Sequence, residues 1–307
     1  MAVKEEIREA LAGIVEGKIF YDEPMSRHTS TGVGGCADAL VLINGENELA
    51  GVIRSLRQRS IEFLVAGNLT NVIVRDGGYR GVIVLMRNLN NVSYRCVPEN
   101  GHYINAQAGA SLASVVNRAA AAELAGMEFC AGIPGSVGGA VWMNAGAYGS
   151  EIKDVITAVS LLDAAGNKKN LATAEITFNY RRTVLPGQSI ITGAEFKLAK
   201  GKAAEIKEKV ADILRKRREK HPLDYPNAGS VFKNLPGMPA GRLIEEIGLK
   251  GARRGNAEIS TKHANFICNT GGATAADVLE LIELVQKTAR RQKGVELTPE
   301  LVIIGED

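Results

Sequence analysis

The sequence predicts an α+β protein that is built from several α/β units. Segments with apolar residues at helical spacing alternate along the chain with short apolar segments typical of strands. Hydrophobic residues make up 45% of the 307 residues and charged residues 23%, so the chain can form real cores. The 34 glycines are concentrated in defined stretches, which indicates loops that approach another group closely. A chain of this length suggests two or three domains.

The first 90 residues predict one small α/β unit. Ile7, Leu11 and Ile14 recur at helical spacing, which predicts a helix over residues 4–16. The apolar run ADALVLI predicts a strand over residues 37–43. Further elements are predicted as a helix at 46–60 and strands at 61–67 and 82–86.

The middle of the chain predicts strands around one helix. Residues 91–107 contain the turn Pro98-Glu99-Asn100-Gly101, which predicts two short strands. Ser111 is a suitable N-cap for a helix that continues to Ala125. Two further strands are predicted at 155–163 and 189–198, with a turn at 165–167.

The C-terminal third predicts a long helix followed by another α/β unit. Residues 203–220 have a helical pattern that His221-Pro222 ends, so we expect a domain boundary there. The basic run Arg215–Lys220 is typical of a solvated helix end, because cations are favoured near a helix C-terminus and no aromatic residues interleave the charges. The elements predicted beyond it are a helix at 239–247, a strand at 264–268, a helix at 274–293 and a strand at 300–304.

Composition excludes several classes of protein. The net charge of +3 is too small to indicate a nucleic-acid partner. The four cysteines lie far apart and form no metal-binding spacing, so we expect reduced thiols and no metal site. The N-terminus lacks the apolar core of a signal peptide, and no apolar run is long enough to span a membrane. We therefore expect a cytoplasmic monomer with neither a nucleic-acid nor a membrane partner.

The stretch GIPGSVGGAVWMNAGAYG at residues 132–149 contains six glycines and no charged residue. Backbone N–H groups in such a turn can form a donor surface for a phosphate, and residues 135–139 would offer consecutive donors. A tight turn in a β-rich core is the alternative, and the pattern leaves both open. A second candidate loop, residues 66–71, follows a predicted strand and adds two Asn amides and a hydroxyl. Two donor loops suit a large ligand with two phosphates.

Known phosphate-binding signatures do not account for these glycines. The pattern GxxxxGK[ST] is absent from the chain. Residues 32–37, GVGGCA, fit the loose dinucleotide pattern, but a polar segment precedes them and a predicted strand follows them. Because that motif requires a strand before it and a helix after it, we reject a dinucleotide fingerprint here.

Over roughly residues 20–305 the sequence resembles the UDP-N-acetylenolpyruvoylglucosamine reductase family, which are flavoenzymes of bacterial peptidoglycan synthesis. The number and order of the shared motifs make a chance match very improbable. These motifs are HTSTGVGG (28–35), AGNLTNVIVRDGGYRG (66–81), GIPGSVGGAVWMNAGAYG (132–149), Tyr180-Arg181, AGSVFKN (228–234), AGRLIEEIGLKG (240–251), ISTKHANFICN (259–269) and LTPELVIIGE (297–306).

The resemblance implies an FAD-binding domain of the vanillyl-alcohol-oxidase type in two subdomains, 1–88 and 89–200, and a C-terminal UDP-sugar domain, 201–307. FAD would be held non-covalently by the two glycine loops. The implied FAD-binding residues are Gly67, Asn68, Leu69, Thr70, Asn71, Ile133, Pro134, Gly135, Ser136, Gly138, Gly139, Ala140, Asn144, Gly146 and Ala147.

The resemblance also implies the reaction and its catalytic residues. NADPH would reduce FAD, and the reduced flavin would pass a hydride to the enolpyruvyl double bond of the UDP-sugar. Ser230 would protonate the α-carbon, while Arg181 and Glu300 would stabilise the substrate carboxylate. Glu300 is expected to be protonated, because two ionised carboxylates repel each other. Substrate contacts are implied for Tyr148, Tyr180, Lys233, Asn234, Arg242, His263 and Asn265, although a lone histidine such as His263 is more often structural.

Three positions depart from the family pattern. Leu69 and Thr70 stand where the family commonly has Gly-Ser, so we expect a remodelled loop or a looser contact with FAD. Arg182 follows Arg181 where Thr is common. The short spacing from Arg181 to Gly193 leaves no room for the tyrosine-bearing loop of one subclass, so we expect the shorter subclass.

Two other functions are compatible with the same fold. An alcohol or hydroxyacid oxidase often attaches its flavin through a histidine, but His28 and His102 lie outside the glycine loops. A catalytically inactive flavin or nucleotide-sugar binding protein is the second alternative. The presence of Arg181, Ser230 and Glu300 together argues against it.

Overall fold

The computed structural model describes residues 2–307 of the chain. Its helices are α1 Ala2–Leu11, α2 Glu46–Gln58, α3 Leu112–Ala121, α4 Val137–Trp142, α5 Ala203–Lys220, α6 Ala240–Glu246 and α7 Ala275–Lys293. Its strands are β1 Ile19–Pro24, β2 Cys36–Leu42, β3 Phe63–Ala66, β4 Val72–Val74, β5 Tyr79–Leu85, β6 Val92–Val97, β7 Gly101–Gln107, β8 Leu124–Ala125, β9 Gly146–Ala147, β10 Ser150–Glu151, β11 Ile156–Leu162, β12 Lys168–Ala172, β13 Thr177–Asn179, β14 Arg182–Val184, β15 Ile190–Lys200, β16 Arg253–Arg254, β17 Ala257–Ile259, β18 Ile267–Asn269 and β19 Val302–Ile304.

The chain forms two compact units, and neither is one continuous segment. Unit 1 comprises the described residues up to Tyr21 together with Ala39–Asn68 and Gly81–Lys216. Unit 2 comprises Asp22–Asp38, Leu69–Arg80 and Arg217–Asp307. The functional assignment of segments 1–88, 89–200 and 201–307 stays a prediction.

Unit 1 is organised around antiparallel strands with helices packed on them. The largest sheet has the order β12-β11-β15-β7-β6, and β8 also pairs with β15. Its register places Gly193 opposite Gln107 and Phe196 opposite Ile104. The core contains Phe196 and Ile104 from this sheet and Val115 from α3, all fully buried. Strand β3 pairs in parallel with β5, as in an α/β unit.

Unit 2 has its own core beneath short strands. Three strands pair in the order β16-β17-β18, and β4 pairs in parallel with β19. Leu281 and Val285 on α7 and Leu243 on α6 pack with Ile73 from β4. Because β4 and β19 come from opposite ends of the sequence, this parallel pair is a long-range contact that local patterns cannot reveal.

Side-chain caps begin α3 and α7, and the cap of α3 was predicted. Ser111 caps α3, its Oγ accepting the Ser114 N–H at 3.1 Å, as the sequence predicted. Thr274 and Asp277 form a capping box at the start of α7, and Gly294 ends that helix with a left-handed φ of 66°. The predicted helix at residues 203–220 is confirmed as α5.

Several element predictions were wrong at their bounds. The helix predicted to continue to Ala125 ends at Ala121, and Leu124–Ala125 form β8. The first helix ends at Leu11 rather than residue 16, and Gly13 follows with a left-handed φ of 70°. The strand expected at 264–268 begins only at Ile267, because Phe266 donates its N–H to the His263 carbonyl at 3.0 Å and closes a turn. The short hairpins β9–β10 and β13–β14 were not predicted, since two- and three-residue strands leave almost no periodic signal.

Candidate active site

The two glycine loops of unit 1 touch each other directly. A Cβ on Gly67 would lie 1.9 Å from the Oγ of Ser136. The end of β3 therefore packs against the start of α4 so closely that only glycine fits at position 67. The predicted loop residues Gly67 and Asn68 thus lie beside the Ile133–Ser136 segment in this unit.

The predicted run of consecutive phosphate donors is interrupted. The N–H groups of Val137 and Gly138 donate to the carbonyls of Ala110 and Ala108, both at 2.8 Å. The Gly139 N–H donates to the Oγ of Ser136 at 3.3 Å, which caps α4. These three donors serve the protein, so the expectation of a continuous donor surface over 135–139 is corrected.

Neighbouring glycines in α4 face different surroundings. A Cβ on Gly138 would lie 2.9 Å from the Cβ of Ala108, so this glycine is required by packing inside unit 1. A Cβ on Gly139 would meet only the Oγ of Ser136, at 3.5 Å, and Gly139 is exposed. Gly139 therefore leaves bare backbone accessible, whereas Ala140, the next residue, is buried.

Leu69 accommodates its side chain by a left-handed backbone. Its φ is 52°, a region that glycine adopts readily, and its side chain is only 3% exposed. In unit 2 its carbonyl accepts the Ser30 N–H at 3.3 Å, and the Thr70 carbonyl accepts the Ser30 hydroxyl at 3.2 Å. The Leu69 side chain is thus buried on a left-handed backbone rather than projecting from an exposed loop.

Tyr148 lies at the tip of a two-residue hairpin. Ala147 pairs with Ser150, and both Tyr148 and Gly149 have positive φ values, of 55° and 86°. Two positive φ values are the mark of a type I′ turn, which suits the twist of adjoining strands. The turn holds the Tyr148 side chain 50% exposed.

Arg181 also lies in a two-residue turn, between β13 and β14. Its φ is 55°, and its side chain is 17% exposed. The guanidinium donates from Nη2 to the Gly146 carbonyl at 3.0 Å, and its Nη1 lies 4.0 Å from Oε1 of Glu151. Its Cζ lies 4.9 Å from the ring centroid of Tyr180, which is itself 45% exposed. Strained backbone of this kind is concentrated at functional sites, and it occurs here at Leu69, Asn144, Tyr148 and Arg181.

Asn144 uses its side chain to hold this region together. It is fully buried, and its Nδ2 donates to Oε2 of Glu151 at 3.0 Å and to the Asn179 carbonyl at 3.1 Å. Its Oδ1 accepts the Lys153 N–H at 3.0 Å. The amide therefore links the end of the glycine-rich stretch to the two hairpins.

Ser230 and Glu300 come from distant parts of the sequence and lie on adjoining segments of unit 2. The Glu300 N–H donates to the Val231 carbonyl at 2.7 Å, and the Lys233 N–H donates to the Thr298 carbonyl at 3.0 Å. Gly229, with a φ of 76°, donates its N–H to Oδ1 of Asn227 in a tight turn before Ser230. The structure thus brings two of the three predicted catalytic residues together on paired backbone.

Asn71 extends this arrangement, because its Nδ2 donates to the Glu300 carbonyl at 3.1 Å. Its own carbonyl accepts the Val302 N–H at 3.0 Å, where β19 begins beside β4. An amide predicted only as a cofactor contact therefore also fixes the backbone of Glu300.

Some predicted substrate residues have structural partners. The Asn265 amide binds both the N–H and the carbonyl of Phe232, each at 2.9 Å, and it is 3% exposed. His263 accepts the Asn265 N–H on Nδ1 at 3.2 Å, and burial lowers the pKa of its imidazole. Asn234 accepts the Ala240 N–H at 3.0 Å, at the start of α6.

Two cationic candidates differ in exposure. Arg242 is largely exposed and pairs with Glu246 at 2.9 Å, whereas Lys233 is half-buried next to the Ser230 segment. The contacts predicted between these residues and a sugar or nucleotide stay predictions.

The geometry of unit 1 fits a flat, phosphate-bearing cofactor. Two glycine loops meet at Gly67 and Ser136, and Gly139 beside them presents exposed backbone without a side chain. Residues 37–171 match the FAD binding domain family, and residues 221–304 match the C-terminal domain of UDP-N-acetylenolpyruvoylglucosamine reductase. The chain is thus an FAD-dependent oxidoreductase, and its predicted fold class is confirmed.

Known proteins match almost the whole chain. It is 50% identical to a UDP-N-acetylenolpyruvoylglucosamine reductase of Syntrophus aciditrophicus, over 98% of this chain and 96% of the relative. It is 48% identical to the reductase of that name from Caldanaerobacter subterraneus subsp. tengcongensis, over 95% of each chain. The crystal structure of this reductase from Thermus caldophilus superposes with a TM-score of 0.78 at 34% identity, covering 94% of this chain and 98% of the other. The chain belongs to the UDP-N-acetylenolpyruvoylglucosamine reductase family.

Two absences are also recorded for the part of the chain that the structure describes. No helix within residues 2–307 has the length and apolar character needed to cross a membrane. Within the same residues, no group of three or more His, Cys, Asp or Glu side chains is arranged to hold a metal ion.

Sequence reasoning missed Glu151 and the structural use of Asn265. Glu151 follows the glycine-rich stretch directly, but a single carboxylate carries no signal that it faces an arginine 30 residues later. Only the pairing of β9 with β10 and the turn at Arg181 bring them together.

Proposed function

We propose that this chain catalyses the NADPH-dependent reduction of UDP-N-acetylglucosamine enolpyruvate to UDP-N-acetylmuramate. The observation that carries the proposal is the backbone pairing of the Ser230 and Glu300 segments in a chain of this family. The relatives' name describes this reductase activity, and the paired segments supply the acid and the carboxyl group that the reaction needs.

FAD, when bound, supplies the hydride that NADPH has delivered to it. The residues that would hold it are Gly67, Asn68, Leu69, Thr70 and Asn71 in one loop and Ile133–Ala140 with Asn144, Gly146 and Ala147 in the other. Among these, Gly139 offers exposed backbone to the cofactor, while Gly138 and Gly146 pack against protein atoms.

Ser230 delivers a proton in this proposal. A hydride adds to the β-carbon of the enolpyruvyl group, and the proton from the Ser230 Oγ goes to the α-carbon, so both atoms of the former double bond gain a hydrogen. A serine hydroxyl is a weak acid, so the step depends on close placement against a basic, enolate-like carbon. The Asn227–Gly229 turn before Ser230 supplies that rigid placement.

Arg181 and Glu300 stabilise the charge that develops on the substrate carboxylate. The planar guanidinium of Arg181 matches a carboxylate in two-point geometry. Asn71 and Val231 fix the Glu300 backbone on both sides, so its main chain has a defined position relative to the Ser230 segment. Tyr148 and Tyr180 present exposed rings, and Lys233 and Arg242 present cations, for the sugar and diphosphate. Asn234, His263 and Asn265 support these residues and remain candidates for further substrate contacts.

The cellular role follows from the reaction. UDP-N-acetylmuramate is a peptidoglycan precursor, so we place the enzyme in cell-wall synthesis, with consequences for cell shape, division and the cell cycle. We further propose that it works in the cytoplasm as a monomer of the shorter subclass. A single species of 32.7 kDa in light scattering would support the monomer, whereas a stable species of twice that mass would exclude it.

The proposal is tested by the visible spectrum of the purified protein under anaerobic conditions. We expect a yellow protein whose flavin absorbance is lost on addition of NADPH and returns on addition of the enolpyruvyl UDP-sugar. Ser230→Ala should bleach normally with NADPH but recover its absorbance at least 100-fold more slowly, because the proton donor is missing.

Ser189→Ala is the matched control, since it removes an exposed hydroxyl that bonds only the Pro186 carbonyl in a loop of unit 1. It should recover its absorbance at the wild-type rate. Wild-type protein that bleaches but never recovers with this sugar would exclude the proposed substrate. Equal recovery in Ser230→Ala and Ser189→Ala would remove the proton-donor role from Ser230.

A further inference from the structure

Glu151 lies at the centre of a small charged cluster in unit 1. It pairs with Gly146 across the β9–β10 hairpin and precedes the 3₁₀ turn Ile152–Asp154. Its side chain is 20% exposed. The predicted chemistry makes no use of this carboxylate, although it is the acidic group that faces the candidate catalytic Arg181.

Arg181 contacts both members of one cross-strand pair. Its Nη2 donates to the Gly146 carbonyl at 3.0 Å, and its Nη1 faces Oε1 of Glu151 at 4.0 Å. The hydrogen bond to Gly146 fixes one direction of the planar guanidinium, and the Glu151 carboxylate at 4.0 Å, beyond hydrogen-bond length, favours the orientation that turns Nη1 toward it. A Cβ on Gly146 would lie 2.7 Å from the Cγ of Glu151, so a glycine is required for the carboxylate to lie where it does.

Three further groups hold the Glu151 carboxylate, one of which is the Asp154 N–H in the capping box of the 3₁₀ turn. Oε2 of Glu151 accepts the Asn144 amide at 3.0 Å and lies 2.8 Å from the Nζ of Lys153. The hydrogen bond from Lys153 to Glu151 raises the pKa of the Lys153 amine. Lys153 and Arg181 share the Glu151 carboxylate, and Asp154 adds a second acidic group beside Lys153.

We propose that Glu151 is a positioning residue that orients the guanidinium of Arg181 toward the substrate carboxylate and ties it, through Asn144, to the flavin-binding stretch. This inference rests on the proposed function, because it assigns Arg181 to the enolpyruvyl carboxylate. A misplacement of about 1 Å at such a group reduces rate by about 100-fold, so the effect on catalysis should exceed the effect on folding.

The test compares Glu151→Gln with Asp154→Asn in the FAD-loaded protein. Asp154 accepts the Glu151 N–H at 2.8 Å in the same turn, so Asp154→Asn perturbs the local fold without removing the carboxylate that faces Arg181. We expect Glu151→Gln to slow reoxidation of the reduced flavin by the enolpyruvyl UDP-sugar by about 10- to 100-fold. Flavin content and the thermal unfolding midpoint should stay close to wild type, and Asp154→Asn should reoxidise at nearly the wild-type rate.

A double-mutant cycle separates positioning from a general structural role. On an Arg181→Ala background, Glu151→Gln should slow reoxidation by less than about 2-fold, because the group it orients is gone. If Glu151→Gln does not retain flavin, Glu151→Asp keeps the charge and should lose less activity than Arg181→Ala.

Several outcomes would overturn the inference. Glu151 would have only a structural role if the two effects were fully additive in the cycle. The same conclusion would follow if Asp154→Asn slowed reoxidation as much as Glu151→Gln, or if Glu151→Asp slowed it as much as Arg181→Ala. If wild type reoxidises normally and Glu151→Gln reoxidises at the same rate, the positioning role of Glu151 is excluded while the proposed function stands. Failure of wild type to reoxidise with this sugar would remove the proposed function, and this inference with it.

Discussion

Two regions that carry candidate site residues reach a fixed geometry by opposite means. In the two glycine loops, side chains are missing at Gly138 and Gly67 because neighbouring atoms of Ala108 and Ser136 fill their space. In the Ser230 segment of unit 2, a buried side chain fixes the backbone instead. The Asn265 amide binds both backbone groups of Phe232.

The comparison changes how the glycines are interpreted. A glycine-rich stretch indicates bare backbone, but it does not reveal whether a ligand or the protein itself approaches that backbone. In unit 1 protein atoms crowd Gly138, whereas the backbone of Gly139 is exposed. In unit 2 the single amide of Asn265 holds the backbone of the Ser230 segment, so that segment needs no unusual amino-acid composition. The predictions below test each half of this contrast.

The largest effect is expected for Asn265→Ala. Phe232 is 1% exposed, so this change leaves a buried N–H and a buried carbonyl without their partner. Each unsatisfied buried group costs about 1 to 3 kcal/mol, so we expect the free energy of unfolding to fall by about 2 to 4 kcal/mol in urea titrations. The control is Asn234→Ala, whose exposed amide accepts the Ala240 N–H at the start of α6 and should cost about 1 kcal/mol. Equal losses in the two variants would contradict the assignment of Asn265 as the residue that holds the Ser230 segment.

Alanine substitutions at two adjacent glycines of α4 should change the free energy of unfolding by smaller amounts and in opposite directions. Gly138→Ala places a Cβ 2.9 Å from Ala108 and should destabilise the apoprotein by about 1 to 3 kcal/mol through overpacking. Gly139→Ala has room, so its higher helix propensity should stabilise the apoprotein by up to about 1 kcal/mol.

The same pair separates packing from cofactor binding. Gly139→Ala should weaken FAD binding by about 10-fold in a fluorescence titration of apoprotein, because its methyl group would fill space that the cofactor needs. Unchanged FAD affinity in this variant would show that the exposed face of α4 is not in contact with the cofactor. A fully stable Gly138→Ala apoprotein would contradict the packing reason for that glycine.

The smallest expected effect is on the pH dependence of the unfolding free energy, and it concerns His221 in unit 2. The ring of His221 packs 4.9 Å from Phe266 and 5.6 Å from His263, and burial lowers the pKa of its imidazole to about 4. The unfolded chain, with a pKa near 6.5, therefore binds a proton more readily than the folded chain. The resulting stability is present above about pH 6.5 and is lost as the pH falls toward 4.

Because the ring is only about half-buried, we expect a loss of about 1 to 2 kcal/mol across this window, which is smaller than the shift alone would give. Unfolding free energies measured between pH 7 and 4 should fall less steeply in His221→Gln than in wild type. His102→Gln, a change on β7 in unit 1, is the control and should keep the wild-type slope. Identical slopes in wild type and His221→Gln would exclude His221 as a source of acid sensitivity.

Much of the fold was accessible from local patterns. The bounds of α2, α5 and α7 followed closely from apolar spacing, and the start of α3 followed from the Ser111 cap, because a helix is specified by residues that are close in sequence. The rejection of a dinucleotide fingerprint at 32–37 is confirmed, since β2 and not a helix follows it. The short hairpins that carry Tyr148 and Arg181 were missed because their geometry comes from two turn residues rather than from a repeated pattern.

The candidate site was accessible through motif resemblance, but its supporting contacts were not. Ser230, Glu300 and Arg181 stand in motifs of the family, whereas the roles of Glu151 and Asn265 depend on which atoms they reach. Leu69 illustrates the limit, since the sequence alone predicted a disturbed loop and the structure buries the side chain on a left-handed backbone.

The sequence by itself determined the alternation of helices and strands, the positions of the glycine loops and the family to which the chain belongs, because each of these is written in residues that are near one another or in ordered motifs. Only the tertiary structure decided that Glu300 lies beside Val231, that Asn71 holds Glu300 and that Glu151 faces Arg181. The physical reason is that these contacts join segments separated by 30 to more than 200 residues, and hydrogen bonds over such separations are fixed by the packing of whole elements rather than by local preference.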